Sequence, residues 1–318
     1  MASADLQSSS PVKPVENAKK MRYAARHKIR VITAASLFDG HDAAIGVMRR
    51  VLQAAGAEVI HLGHNRGAEE VVDAAIQEDA QAIAVSSYQG GHIEYFKYMV
   101  DLLKQKGAGH ITLWGGGGGV IVPREIEELH AYGVSRIFSP EDGRRMGLQG
   151  MIDAILAGSD FSTAPADPAG ELAALTAPGA LAASDHKTRL ARLITAVEAE
   201  AEAGGPLTAA LRAPHSGPRA PVLGITGTGG AGKSSLTDEL LSRILRDHPE
   251  RRIAVVSVDP TRRRTGGALL GDRIRMNSLR DPRVMMRSLA TRAAGVELSR
   301  ATDDVVRLLQ RVGYDLVI

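Results

Sequence analysis

The chemistry of this chain starts at eight residues, Gly227-Thr228-Gly229-Gly230-Ala231-Gly232-Lys233-Ser234, which match the pattern G-x-x-x-x-G-K-[ST]. Glycine at this density lets successive backbone N–H groups turn inward on one anion, and a following helix adds its positive end. Gly227, Gly229, Gly230, Ala231 and Gly232 form such a cradle. Lys233 is placed for the β- and γ-phosphates, and the Ser234 hydroxyl for Mg2+. An apolar run precedes the pattern and a helical one follows it, so an incidental glycine turn is the poorer reading. Asp259 closes the next apolar run, in Val258-Asp259-Pro260, and offers a carboxylate to the same Mg2+ shell. An Asp before Pro also opens turns. The stretch 265–276 joins hinge glycines to Asp272, Arg273 and Arg275. It reads either as a segment that senses the terminal phosphate or as a solvated basic loop.

A second set of residues lies in the first half. Asp39-Gly40-His41-Asp42 follows the first strand-like run, Ser86-Ser87-Tyr88 ends the third, and five glycines, 115–119, follow the fourth. Open α/β sheets bind ligands at the carboxyl ends of their strands. Imidazole is a good metal ligand, and a nearby carboxylate fixes its tautomer and raises its basicity. A bare glycine run admits a large group against the backbone. A histidine after a strand is most often an ordinary loop residue. Three unusual features at one sheet edge weigh against that here.

The elements that must position these residues follow from periodicity. Strand-like runs at 29–33, 58–62, 82–86, 110–114 and 136–138 alternate with helical patterns at 42–55, 68–78, 93–106, 123–131 and 143–157. Five β-α repeats describe a parallel sheet covered by helices, with a flavodoxin-like (Rossmann-like) order expected. Residues 1–20 read as a disordered tail and 21–160 as this first domain. Residues 161–220, rich in Ala, Pro and Gly, read as a linker with one helix at 184–202. A second, P-loop α/β domain fills 221–318, with strands at 222–226, 253–258, 285–290 and 314–318 and a helix at 233–246. Its last strand carries no turn or cap, so the chain is expected to be a truncated piece of a longer protein.

Composition narrows the function. The 318 residues suit two domains. Without cysteine there are no disulfides, no thiolate metal sites and no thiol catalysis, which fits a reducing cytoplasm. No apolar stretch reaches membrane-spanning length and no apolar leader is present, so neither a membrane nor a secretory route is expected. Lys and Arg exceed Asp and Glu by 17 to 11 after residue 220, which favours phosphate-bearing ligands there. Residues 251–292 hold eleven arginines, yet aromatics are only 3% of the chain and no reading helix accompanies them. Nucleic acid is therefore not an expected partner.

Asp39-x-His41, Ser86-x-Tyr88 and the glycine run resemble the D-x-H-x-x-G … S-x-L … G-G signature of cobalamin-binding domains, with 41 residues between position 44 and Ser86. Ser86-Ser87-Tyr88-Gln89-Gly90-Gly91-His92 and Gly118-Gly119-Val120-Ile121 also resemble the acyl-CoA mutase members. Two positions depart from the signature: Ala44 stands for Gly and Tyr88 for Leu, and both bear on how the cofactor's dimethylbenzimidazole tail is held. The resemblance implies His41 as the lower axial ligand of cobalt and Asp39 on its distal nitrogen. It implies Ser86, Gly118 and Gly119 along the slot for the tail.

The second domain resembles the chaperone GTPases of methylmalonyl-CoA mutase, through 227–234, Val258-Asp259-Pro260 and 265–276. That implies GTP as nucleotide, Ser234, Asp259 and Asp272 around Mg2+, Lys233 as the catalytic residue and Arg275 near the nucleotide. Asp315-Leu316-Val317-Ile318 resembles the strand before the Walker B region. The N-K-x-D base-specificity element is absent, since Ser278 follows Asn277.

Together the two domains resemble the N-terminal portion of the fused isobutyryl-CoA mutase family, over about 20–160 and 185–318. This implies an adenosylcobalamin-dependent radical interconversion of isobutyryl-CoA and n-butyryl-CoA, with GTP hydrolysis gating cofactor loading. It also implies a C-terminal barrel for the acyl-CoA substrate, without which this piece should not act as a mutase, an adenosyltransferase as cofactor donor, and a homodimer in the complete protein. A stand-alone chaperone GTPase serving a separate mutase is the alternative. A signalling receiver domain fits poorly, because Ser86-Ser87-Tyr88 occupies the place of its phosphoacceptor Asp.

Overall fold

A computed structural model describes residues 23–40, 43–215, 217, 219–261, 265–292 and 299–318. The tail expected at 1–20 lies outside these residues. The first half forms β1 (Arg30–Ser36), α1 (Ala43–Ala54), β2 (Glu58–Arg66), α2 (Ala68–Gln77), β3 (Ala82–Ser86), α3 (His92–Gln105), β4 (Thr112–Gly116), α4 (Pro123–Tyr132), β5 (Arg136–Phe138) and α5 (Pro140–Gly158). Its strands run parallel in the order β5-β4-β3-β1-β2, the flavodoxin-like arrangement. Alternation along the strands divides their side chains between two cores. Val31, Val59, Ala84 and Trp114 pack on Ile45, Leu52 and Ile155 of α1 and α5. Ile32, Ile60, Ile83 and Leu113 pack on Val71, Phe96, Met99 and Leu129 of α2–α4. Because both faces are covered, β1 and β3 are apolar-rich and buried throughout.

The described residues of 161–220 hold three α-helices where one helix was expected: α6 (Pro168–Leu175), α7 (His186–Ala203) and α8 (Pro206–Arg212). Asp167 caps α6 by accepting from the Gly170 N–H at 2.9 Å. Nor is this stretch a loose tether. Leu175, Leu190, Ile194, Val197 and Leu207 share one core with Met285, Leu289 and Leu308. Short helices in Ala- and Pro-rich sequence show little periodicity of their own, and this shared core supplies the stability that propensity lacks.

The rest of the chain forms α9 (Lys233–Asp247), β6 (Ile253–Asp259), β7 (Ala268–Leu270), β8 (Val284–Ala290), α10 (Thr302–Val312) and β9 (Leu316–Val317). A parallel sheet runs β8-β6-β9, with α9 against one face and α7, α8 and α10 against the other. The strand expected at 222–226 reduces to one parallel bridge, Val222 to Val317. Val222 and Leu223 remain exposed, and Gly224 directly follows, so little side-chain packing holds the extended segment to its neighbour.

Strand β7 was not expected, and it belongs to the other domain's sheet. It pairs with β2 in the register Glu58↔Ala268, Val59↔Leu269 and Ile60↔Leu270, and becomes the sixth strand of the first sheet. Ala268 and Leu270 enter one of that domain's cores, while Leu269 packs against the other. Gly267 makes the approach possible: a Cβ there would lie 2.1 Å from the Gln53 carbonyl oxygen and 2.8 Å from that of Ala57.

Buried charge continues this seam. Arg30 bonds Glu58 and Glu198, each at 2.8 Å; Arg287 bonds Glu198 at 2.5 Å; Arg292 bonds Glu58 at 2.8 Å. Burial alone raises the Glu58 carboxyl, but Arg30 and Arg292 outweigh it and hold the group well below the usual carboxylate range. Glu78 accepts from Arg273 Nε at 3.0 Å and from both the N–H and the hydroxyl of Ser288 at 2.9 Å.

Candidate functional site

Two clefts carry the predicted chemistry. The first opens at the carboxyl ends of β3, β4 and β5. It is a cavity of about 250 Å3 between α1, α5 and the glycine run, lined mainly by Ala44, Ile45, Met48, Trp114, Phe138 and Ile155, with Ser86 and Tyr88. The Trp114 and Phe138 rings stack at 6.0 Å and 17° between planes, and Trp114 Nε1 is tied to the Thr112 hydroxyl at 2.9 Å, so this wall is flat and fixed. The Ser86 hydroxyl is buried at the slot and has no hydrogen-bond partner among the described residues. A buried, unsatisfied hydroxyl facing an apolar slot suits an aromatic ligand that brings one acceptor or donor. These residues therefore fit a heteroaromatic tail such as dimethylbenzimidazole.

The glycine run shapes one side of the slot. The Ser87 N–H donates to the Gly116 carbonyl at 2.8 Å, and a Cβ on Gly117 would lie 2.0 Å from the Ser87 carbonyl oxygen. Gly118 adopts φ 57° with the Tyr88 ring beside it. Gly119 lies outside the slot and faces a separate groove beside α4. Asp39 is buried and accepts from the Tyr88 N–H at 2.6 Å, which ties the end of β1 to the loop after β3. His41 and Asp42 lie outside the described residues, so the predicted contact between His41 and Asp39 has no geometry here. Sequence reasoning missed Met48, Phe138, Met151 and Ile155, apolar residues whose periodicity marks them only as core.

The second cleft is the phosphate cradle. Gly230 (φ 80°) and Gly232 (φ 86°) take left-handed conformations, and α9 starts at Lys233. Lys233 Nζ donates to the loop's own carbonyls, Gly227 at 2.8 Å and Thr228 at 3.1 Å. The Ser234 hydroxyl donates to Asp272 at 2.9 Å, and the Ser257 hydroxyl bonds the other Asp272 oxygen. Arg275 bonds Asp272 at 3.3 Å from an exposed position. Asp259 keeps one carboxylate oxygen buried without a partner among the described residues. Burial first, and the Asp272 charge second, push its carboxyl up to about 6. Two neighbouring carboxylates that repel each other, beside a serine hydroxyl at a phosphate loop, form an oxygen-rich set suited to a hard divalent cation. Ser234, Asp259 and Asp272 are thus brought together. Ser257 joins them, and the sequence offered no motif that marks it.

Comparison with known proteins supplies the family. The B12 binding domain profile matches residues 29–144, and that of the methylmalonyl Co-A mutase-associated GTPase MeaB matches residues 190–318. A fused isobutyryl-CoA mutase from Geobacillus kaustophilus is 59% identical over 93% of this chain and 27% of its own length. Another, from Cupriavidus metallidurans, is 57% identical over 92% of the chain and 26% of its own length. The chain thus spans about a quarter of these relatives. The 2-hydroxyisobutanoyl-CoA mutase small subunit of Aquincola tertiaricarbonis is 42% identical over 34% of this chain and 79% of its own. Slot, cradle and both family matches agree with one another: the chain belongs to the cobalamin-binding acyl-CoA mutases, and it corresponds to the cobalamin-binding and chaperone-GTPase portion of the fused isobutyryl-CoA mutase family.

Proposed function

We propose that this chain loads and holds adenosylcobalamin for an acyl-CoA mutase that interconverts isobutyryl-CoA and n-butyryl-CoA, with Mg2+-GTP turnover gating the loading. The observation that carries this reading is the Trp114-walled slot with the orphan Ser86 hydroxyl, set in the same molecule as a phosphate cradle. Ser86, Gly117 and Gly118 accommodate the cofactor's tail, and Asp39 anchors the loop that carries His41, the proposed cobalt ligand. When bound, adenosylcobalamin supplies a carbon radical by homolysis of its cobalt–carbon bond. The protein positions it and keeps water from the slot.

In the second cleft, Lys233 is freed from its own loop carbonyls to meet phosphate, and Ser234, Asp259 and Asp272 hold Mg2+. Arg275 lies at the rim of this set. The acyl-CoA substrate is taken up by a C-terminal barrel of the complete protein, proposed to be a cytoplasmic homodimer supplied by an adenosyltransferase. Among the described residues no helix is long and apolar enough to cross a membrane.

Ultraviolet–visible titration with cobalamin tests the reading. The parent is expected to show the spectrum of base-off cobalamin with histidine on cobalt, and His41→Ala to lose that spectrum. Identical spectra and affinities in the two would refute the assignment.

A further inference from the structure

We propose that His92 is a positioning residue for the cobalamin slot: its ring clamps together the two loops between which the nucleotide tail is held. This rests on the cobalamin reading above. His92 is the first residue of α3 and is buried. Its Nδ1 lies 3.0 Å from the Gln89 carbonyl oxygen and its Nε2 lies 2.9 Å from Glu125 Oε2. Both partners accept, so a ring that donates from both nitrogens satisfies the pair.

The same Glu125 oxygen also accepts from the Val122 N–H at 3.0 Å. Val122 ends the segment that begins with the glycine run, and the Val120 N–H closes that segment on the Gly117 carbonyl at 3.2 Å. One imidazole therefore ties the loop carrying Ser87 and Tyr88 to the segment carrying Gly117 and Gly118. These loops meet at the slot, where the Tyr88 ring packs on Gly118 and the Ser87 carbonyl abuts Gly117. His92 does not line the slot itself, so it acts through the spacing of that wall. Glu125 is held below the usual carboxyl range by the Val122 N–H first and by His92 second, which keeps it an acceptor for both.

The test compares cobalamin with cobinamide, which has the corrin but lacks the nucleotide tail. Trp114, the chain's single tryptophan, lines the slot and reports binding by fluorescence quenching. In His92→Leu and Glu125→Leu, cobalamin affinity is expected to fall about 10- to 100-fold while cobinamide affinity stays within about threefold of parent. Glu125→Gln keeps a carbonyl acceptor for both donors and is expected to restore cobalamin affinity. Equal losses for both ligands, or no loss for either, overturn the clamp. Hydrogen exchange without cofactor gives a second reading, in which the Val120 and Val122 amides of His92→Leu exchange faster than in the parent. Unchanged exchange also overturns the clamp. A parent protein that binds neither ligand overturns the cobalamin reading instead.

Discussion

The two clefts use glycine for opposite reasons. At the slot, Gly117 is required by crowding, because any Cβ there would collide with the Ser87 carbonyl. At the cradle, Gly230 and Gly232 have nothing within 4 Å of an added Cβ, and what they supply is a left-handed backbone. The slot is therefore built before its ligand arrives, with stacked rings and buried partners. The cradle is exposed, and its lysine rests on its own loop. A preformed cavity gains affinity from shape, whereas an open loop gains it from charge and backbone amides. Substitutions at the slot should damage folding and binding together, and those at the cradle should separate them.

The largest expected effect is Gly117→Ala. Overpacking against a backbone carbonyl should cost about 3 kcal/mol of stability and abolish cobalamin binding. Gly119→Ala, with open space around its Cβ, should change neither. Thermal melts with absorbance titrations decide; a Gly117→Ala protein as stable as its parent would break the contrast.

Asp259→Asn should have a smaller effect, of opposite sign on stability. The folded-state carboxyl is raised to about 6, above its ordinary value, so the folded state holds this proton more tightly than the unfolded chain does. Its ionisation opposes folding as pH rises from about 4 to about 6. At pH 7.5 the Asn variant should be more stable by about 1–2 kcal/mol, and near pH 4 the two should melt alike. Mg2+-dependent GTP affinity should fall in the same variant. Equal melting at both pH values would remove the argument that this carboxylate is held under strain for a cation.

Lys233→Ala should have the smallest effect on stability. Lys233 Nζ donates to the Gly227 and Thr228 carbonyls from a half-buried position, and these are its hydrogen bonds among the described residues, so the melting curve should hardly move. Calorimetry should nevertheless show weakened GTP binding. Retained affinity would place the nucleotide elsewhere.

The first domain was legible because its buried parallel strands alternate with amphipathic helices, the strongest local signal a sequence carries. The cradle pattern was legible because phosphate chemistry constrains residue type at fixed spacing, whereas the pairing of Asp259 with Asp272 came only from the family resemblance. What escaped depended on distant partners. The helices at 168–175 and 206–212 are stabilised by a core drawn from the far end of the chain. The extended run at 222–226 has strand composition but pairs at Val222 alone. Strand β7 is three residues long between glycines, and its ladder with β2, some two hundred positions earlier, makes it a strand. No local pattern marked Arg30, Glu58 and Glu198 as partners, and distant segments bury them together.

Strand β7 also bears on the order in which this protein is made. A ribosome releases β1 to β5 well before it synthesises Ala268, so the emerging first domain waits with the edge of β2 unpaired. A bare edge of Val59 and Ile60 backbone invites pairing with other nascent chains. Until the chain reaches Arg292, beyond β7, Glu58 also lacks that partner and is paired with Arg30 alone. Excising the first domain at residue 160 would make this transient edge permanent, and such a fragment should aggregate where the longer chain does not.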